Sequence, residues 1–161
     1  MTIIRKPNLY ILFGIIGSGK STWAFCETMS SARTKCVCMD DIRYMLHKRK
    51  VYVTSTDQVV LKISQDAVKR LLEFGYDVVV DCGNLTEGVR QTWLNVAGDA
   101  KKVLVKFPLR EKKWHVNHRM ENDAKGKDRK YWEDWYDMQV AQIEPPKEDD
   151  YDLVIKARKR R

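Results

Sequence analysis

The sequence predicts an α/β fold: a five-stranded parallel sheet sandwiched by helices. Three observations predict it. Short apolar runs suited to buried strands alternate with helical patterns from one end of the chain to the other. The segment Gly14-Ile15-Ile16-Gly17-Ser18-Gly19-Lys20-Ser21 has the spacing of a phosphate-binding loop and sits between the first strand and the first helix. The 161 residues contain no internal repeat, low-complexity stretch or linker, so one domain over residues 1–161 is expected.

The elements follow in order. Leu9–Phe13 reads as a fully buried strand and Lys20–Ser30 as the helix after the glycine loop. Thr34–Met39 is the second strand, and a short helix runs from about Asp41 to Lys48. Thr56-Asp57 reads as a helix N-cap, followed by Val59, Val60, Ile63, Ala67, Leu71 and Phe74 at helical spacing, with Gly75 as the stop. Asp77–Asp81 is a continuous apolar strand closed by an acid. Thr86 with Glu87 opens a helix to about Ala97. Lys102–Phe107 is the fourth strand, stopped by Pro108, and a helix from about Arg110 to Glu121 follows. The polar break at 122–127 gives way to a helix from Asp128 to about Ile143, ended by Pro145-Pro146, and Tyr151–Ile155 is the last strand.

Composition narrows the class. Hydrophobic content is 43% and charged content 32%, as in an ordinary globular chain. No apolar run approaches a membrane span, and Met1–Pro7 has no apolar core of a signal peptide, so a cytoplasmic protein without a membrane partner is expected. Cys26, Cys36, Cys38 and Cys82 form no CxxC pair; they read as small buried hydrophobes in a reducing compartment. The net charge is +8, concentrated in the tail at 156–161 and in the runs at 110–113 and 125–130. That balance favours a polyanionic partner, with a plain solvated surface as the alternative.

In open α/β sheets ligands lie beyond the carboxyl ends of the strands, so polar residues just after strands are the candidate site. At the first such place, Gly14, Gly17, Ser18, Gly19, Lys20, Ser21 and Thr22 form a nest of inward N–H groups at a helix N-terminus. Lys20 would reach the β- and γ-phosphates of ATP, and the Ser21 hydroxyl would ligate Mg²⁺. At the second, Asp40 and Asp41 offer a carboxylate to accept a proton from an attacking hydroxyl, and Arg43 a guanidinium to clamp a substrate phosphate. Simple capping of the next helix is the competing role for one of the acids. At the third, Asp81 would contact Mg²⁺ through water, and Asn84 would bind substrate or shape the turn. Arg119, backed by Lys125, Lys127 and Arg129, is placed to neutralise a transferring phosphoryl group, and the helix–break–helix at about 115–130 reads as a closing lid. His115 and His118 have a metal-ligand spacing but no evident third ligand. Trp132, Trp135 and Tyr136 are at helical spacing, which favours core packing over base stacking.

Together these residues resemble the kinase domain of phage polynucleotide 5′-hydroxyl kinases. The likeness rests on Ser21-Thr22-Trp23-Ala24 after the loop lysine, on Asp40-Asp41-Ile42-Arg43, which is similar to that family's Asp-Asp-Tyr-Arg, and on Asp81-Cys82-Gly83-Asn84-Leu85. It covers nearly the whole chain. The resemblance implies a P-loop kinase fold with a small helical lid, ATP and Mg²⁺ as cofactors, and a phage-encoded enzyme working in the host cytoplasm. It implies Asp40 as general base, Arg43 on the acceptor's phosphate and Arg119 as the lid arginine. Nucleic acid, DNA ahead of RNA, is the implied acceptor. Gly83 stands where the wider group has threonine, and Asp123 and Lys125 occupy the region of that family's second lid arginine. The acceptor hydroxyl is therefore open between a 5′ end and the hydroxymethyl group of 5-hydroxymethyluracil within DNA. A P-loop kinase for a nucleoside, sugar or antibiotic is the alternative enzyme, and a non-catalytic ATP switch that binds nucleic acid is the alternative from another class. The sequence is silent on oligomeric state.

Overall fold

The computed structural model describes residues 5–50, 52–123 and 126–157. Five strands, β1 (Asn8–Phe13), β2 (Thr34–Cys38), β3 (Asp77–Asp81), β4 (Lys101–Lys106) and β5 (Leu153–Lys156), form one sheet in the order β2-β3-β1-β4-β5. Every pairing is parallel. The helices are α1 (Lys20–Ser30), α2 (Met39–His47), α3 (Thr54–Glu73), α4 (Glu87–Leu94), α5 (Lys112–Glu121) and α6 (Arg129–Ala141). This is the P-loop kinase fold, and the chain turns from one side of β1 to the other, which opens a crevice at the carboxyl edge.

The central strands are buried on both faces, which is why they read as unbroken apolar runs. Leu9 and Ile11 of β1 and Val78 and Val80 of β3 point into one core with Val60, Val68, Leu72 and Trp93. Leu12, Val79, Val103 and Val105 point into the other, with Ala24 and Phe107. Each fully buried Val, Leu or Ile is worth roughly 1.5–3 kcal/mol. One register pair matters for the site: Cys38 at the end of β2 lies opposite Asp81 at the end of β3. Residues just after β2 and the last residue of β3 therefore meet at the same edge.

Several boundaries differ from those expected. Helix α3 begins at Thr54 rather than after a Thr56-Asp57 cap, because the Thr56 hydroxyl turns to the Val53 carbonyl and to His47. Its buried stripe is Val60, Ser64, Val68 and Leu72; Val59 and Phe74 of the expected set are 51% and 77% exposed. The stop is as expected: Gly75 takes φ +81°, its N–H bonds to Leu72 and that of Tyr76 to Leu71, which closes the last carbonyls of α3. Thr86 caps α4, accepting from the Val89 N–H at 3.3 Å, and Asp128 caps α6, accepting from the Tyr131 N–H at 2.8 Å. The 3₁₀ turn at Glu148–Asp150 has no counterpart in the sequence reading.

The cysteines need correcting. All four are free thiols, but none is fully buried, and Cys36 is exposed because β2 is an edge strand whose face is only partly covered. No helix among the described residues is long and apolar enough to cross a membrane.

Candidate active site

The phosphate loop bends through two left-handed residues, Gly17 at φ +63° and Gly19 at φ +95°. Gly19 is the N-cap of α1 and offers no side chain to the first-turn N–H groups, and that turn holds no acid. Open donors and the positive end of the helix dipole therefore face the crevice together. At Gly17 a Cβ would lie 2.4 Å from the His115 carbonyl oxygen, so only glycine lets α5 pack on the loop. At Gly14 a Cβ would meet the Ser18 hydroxyl at 2.8 Å and Phe107 at 2.9 Å.

Lys20 folds back over the loop. Its Nζ donates to the Ile15 carbonyl at 2.7 Å and to the Ser18 hydroxyl at 3.4 Å. Burial pushes its pKa down to about 8, against the pull of the Asp81 carboxylate. A polyphosphate in the loop would supply the missing counter-charge. Asp81 is raised above the usual carboxylate range, first by burial, with the Ser21 hydroxyl and Lys20 acting to lower it and Asp40 and Asp41 to raise it. Ser21 and Asp81 thus sit in mutual contact as two hard oxygen donors, which fits the oxygen-rich ligation Mg²⁺ prefers. Ser21 and Thr22 are exposed at the start of α1.

Asp40 and Asp41 lie in the first turn of α2, not in a loop before it. The N-cap is Cys38, so neither acid caps the helix. Asp41 pairs with Lys50 at 2.6 Å. Arg43 donates through Nη1 to Asp40 at 2.9 Å and through Nε to Asp57 at 2.8 Å, and its Nη2 lies 2.8 Å from the same Asp57 oxygen. A guanidinium carries five N–H groups. Among the described residues these two carboxylates take one N–H on each nitrogen, which leaves N–H groups on Nη1 and Nη2 for a ligand oxygen. Burial tends to lower the Arg43 pKa, but the two carboxylates outweigh it and leave it raised, so the group is a fixed cation. Asp40 and Asp41 are felt by Asp81, and Asp81 by Lys20, which makes one electrostatic cluster of the loop and the two strand ends.

Asn84 does not face the crevice. It is 2% exposed, sits at φ +51°, donates to the Leu12 and Cys82 carbonyls, and accepts from the Trp93 indole at 2.8 Å. Its amide is fully used inside the protein, so it shapes the turn after β3, and the expectation of substrate contact is overturned.

Arg119 stacks on the Trp132 ring with its guanidinium 4.3 Å from the ring centre, and its charge bears on Lys20. Trp132 is buried, as expected, but between α5 and α6 rather than against the sheet; its indole donates to Asp123 at 3.2 Å. The Lys127 backbone N–H donates to Asp123 and the Arg129 guanidinium to Asn117. Lys125 and the tail residues Arg158 to Arg161 lie outside the described residues.

Two residues tie α5 and α6 to the phosphate loop, and sequence reasoning missed them in that role. His115 is fully buried; its Nδ1–H donates to the Ile16 carbonyl at 2.9 Å and its Nε2 accepts from the Arg110 N–H at 3.0 Å. Gln139 of α6 accepts from the Ile16 N–H at 2.7 Å. Among the described residues no cluster of three metal-ligand side chains exists, so the His115/His118 spacing reflects packing. A cleft of about 700 Å³ lined by Arg5, Lys6, Asn8, Asp99, Lys101 and Asp152 lies at the opposite, amino edge of the sheet and takes no part in this site.

The profile of the AAA_33 family, described as an AAA domain, matches residues 9–146. No curated protein matches the chain. Among solved structures, a chain of the Pnkp1/Rnl/Hen1 RNA repair complex superposes with TM-score 0.70 at 23% identity, covering 86% of this chain and 45% of that one. A fungal RNA kinase gives TM-score 0.70 at 15% identity over 94% and 75%. The APS kinase CysC of Mycobacterium tuberculosis, in complex with AMPPNP and APS, gives 0.64 at 16% identity over 96% and 91%. The chain spans less than half the length of the Pnkp1/Rnl/Hen1 chains it matches. At these identities the likeness speaks for the fold.

Proposed function

The chain belongs to the AAA_33 family of AAA domains and has a P-loop kinase fold, and from that premise we propose that it transfers the γ-phosphoryl group of ATP to a hydroxyl on nucleic acid. The acceptor is a 5′-hydroxyl end or the hydroxymethyl group of 5-hydroxymethyluracil in DNA. One observation carries the reading: the Asp40–Arg43 pair stands at the same sheet edge as Lys20, Ser21 and Asp81.

In this mechanism the loop N–H groups and Lys20 hold the β- and γ-phosphates. Ser21 and, through water, Asp81 would hold Mg²⁺, which would supply positive charge to offset that of the phosphoryl oxygens. Arg43 fixes the Asp40 carboxylate and turns its remaining donors to the acceptor's phosphate. Asp40 takes the proton of the acceptor hydroxyl as the oxygen–phosphorus bond forms and the bond to the β-phosphate oxygen breaks. Arg119 leaves Trp132 to meet the charge on the transferring group. Support comes from the basic balance of the chain and from the likeness to an RNA repair complex and an RNA kinase. The likeness to an APS kinase supports the small-molecule alternative.

The test offers labelled ATP with 5′-hydroxyl DNA and RNA, hydroxymethyluracil DNA, nucleosides, sugars and APS. Label in nucleic acid, lost in Lys20→Ala and reduced by about 10²–10⁴ in Asp40→Ala, is the expected result. Label confined to a small alcohol would establish the alternative enzyme. ATP binding with no labelled acceptor would establish the switch.

A further inference from the structure

The connection between α2 and α3 carries Lys48, Arg49, Lys50 and Tyr52, and the transfer step uses none of them. Three observations bring this segment to the acceptor side of the site. Asp40, Arg43 and Tyr44 follow one another at i, i+3 and i+4, so they share one face of α2. Lys50 is bonded to Asp41 at 2.6 Å, which holds the basic run against the first turn of that helix. The Arg43 guanidinium lies 5.8 Å from the centre of the Tyr52 ring, while that residue is 62% exposed and Tyr44 52%.

The direction of the run is fixed. Lys48 takes a left-handed conformation at φ +57° and its N–H closes onto the Tyr44 carbonyl, so the chain leaves α2 at a defined turn. Lys48, Arg49 and Lys50 are all exposed. A large ring held at the surface beside a row of cations does not serve the core. It matches a partner with phosphates in series and flat faces between them. A small acceptor with one phosphate would be satisfied by Arg43 alone.

We infer that Lys48, Arg49 and Tyr52 grip the single-stranded nucleic acid that continues beyond the reacting hydroxyl, the cations on its phosphates and the tyrosine on a base. This inference rests on the nucleic-acid reading above and narrows it to a strand several nucleotides long.

The experiment uses the full chain with 5′-hydroxyl oligonucleotides from a dinucleotide to about 15 nucleotides, a length spanning the usual single-strand site. Tyr52→Ala is expected to raise KM for the long strand about tenfold while kcat holds, and Tyr52→Trp to restore it, as loss and return of one stacked base would do. The Lys48→Ala/Arg49→Ala double variant is expected to flatten the slope of log affinity against log salt by about 1.4. All these side chains are exposed, so the melting temperature serves as the folding control. If the parent chain labels strands but the variants keep its KM, length dependence and salt slope, the inference is overturned and the kinase reading stands. If the parent chain labels no nucleic acid, both fall together.

Discussion

His115 has no exposed surface, and both ring nitrogens are committed, one donating and one accepting. Only the neutral imidazole satisfies that pair of bonds. Burial is the main cause of its pKa falling to about 4, and the Lys20 and Arg110 charges act in the same direction. The unfolded chain binds a proton near 6.5 and the folded one near 4, so the stability that His115 contributes is full above 6.5 and is lost as pH falls toward 4. The loss amounts to roughly 3 kcal/mol across that window. A His115→Gln variant is expected to be less stable at neutral pH yet to show a shallower fall in melting temperature from pH 6.5 to 4; an acid limb as steep as the parent's would remove His115 from this role. Its role was not legible in the sequence. The spacing to His118 suggested half a metal site, and the true partner, Ile16, lies 99 residues away. Gln139 carried no signal at all. Asn84 was legible as a turn residue, but only the fold shows that Leu12 and Trp93 absorb its amide. Lys20, Asp40 and Arg43 were legible because they come after strands whose apolar runs end sharply, and Asp81 because it closes one.

At the scale of elements, the glycine loop and α5 form a unit through a contact that excludes any side chain at Gly17. Gly17→Ala meets two obstacles, a left-handed backbone and a carbonyl 2.4 Å away, so the loop must shift. The expected result is a loss of at least about 1–2 kcal/mol in stability and a marked loss of ATP affinity, read by melting and by nucleotide titration. Gly88→Ala in α4 makes the contrast. Nothing lies within 4 Å of its Cβ, and the change is expected to be neutral or to stabilise by up to about 1 kcal/mol. An equal effect of the two would show that the loop adapts. The strands and α-helices were legible, though not the 3₁₀ turn, because β-branched runs bounded by acids or glycine read as strands and caps such as Thr86 and Asp128 act locally. The start of α3 was not, and its stripe only in part: Val60, Ala67 and Leu71 join the core while Val59 and Phe74 do not, since that depends on which face meets β2 and β3. The helices α5 and α6 were legible as a pair, but not the seat of Arg119 on Trp132.

For the whole molecule, the parallel register fixes the chemistry. Cys38 opposite Asp81 brings the acids of α2 to the loop, whereas a slip of one residue would turn Asp81 to the other face. Nucleotide binding should therefore stabilise the entire sheet. ATP at about a hundred times its Kd is expected to add about 2.7 kcal/mol to unfolding, with most of the gain missing in Lys20→Ala. An unchanged melting temperature at saturating ATP and Mg²⁺ would argue against the phosphate loop as a binding site. The bonds from His115 and Gln139 to the two polar groups of Ile16 have a broader meaning. They grip a single peptide residue from two directions and leave the cradle little freedom before any ligand arrives. The entropy of shaping the anion nest is thus met when the chain first collapses, and arrival of a nucleotide need order little more than its own tail.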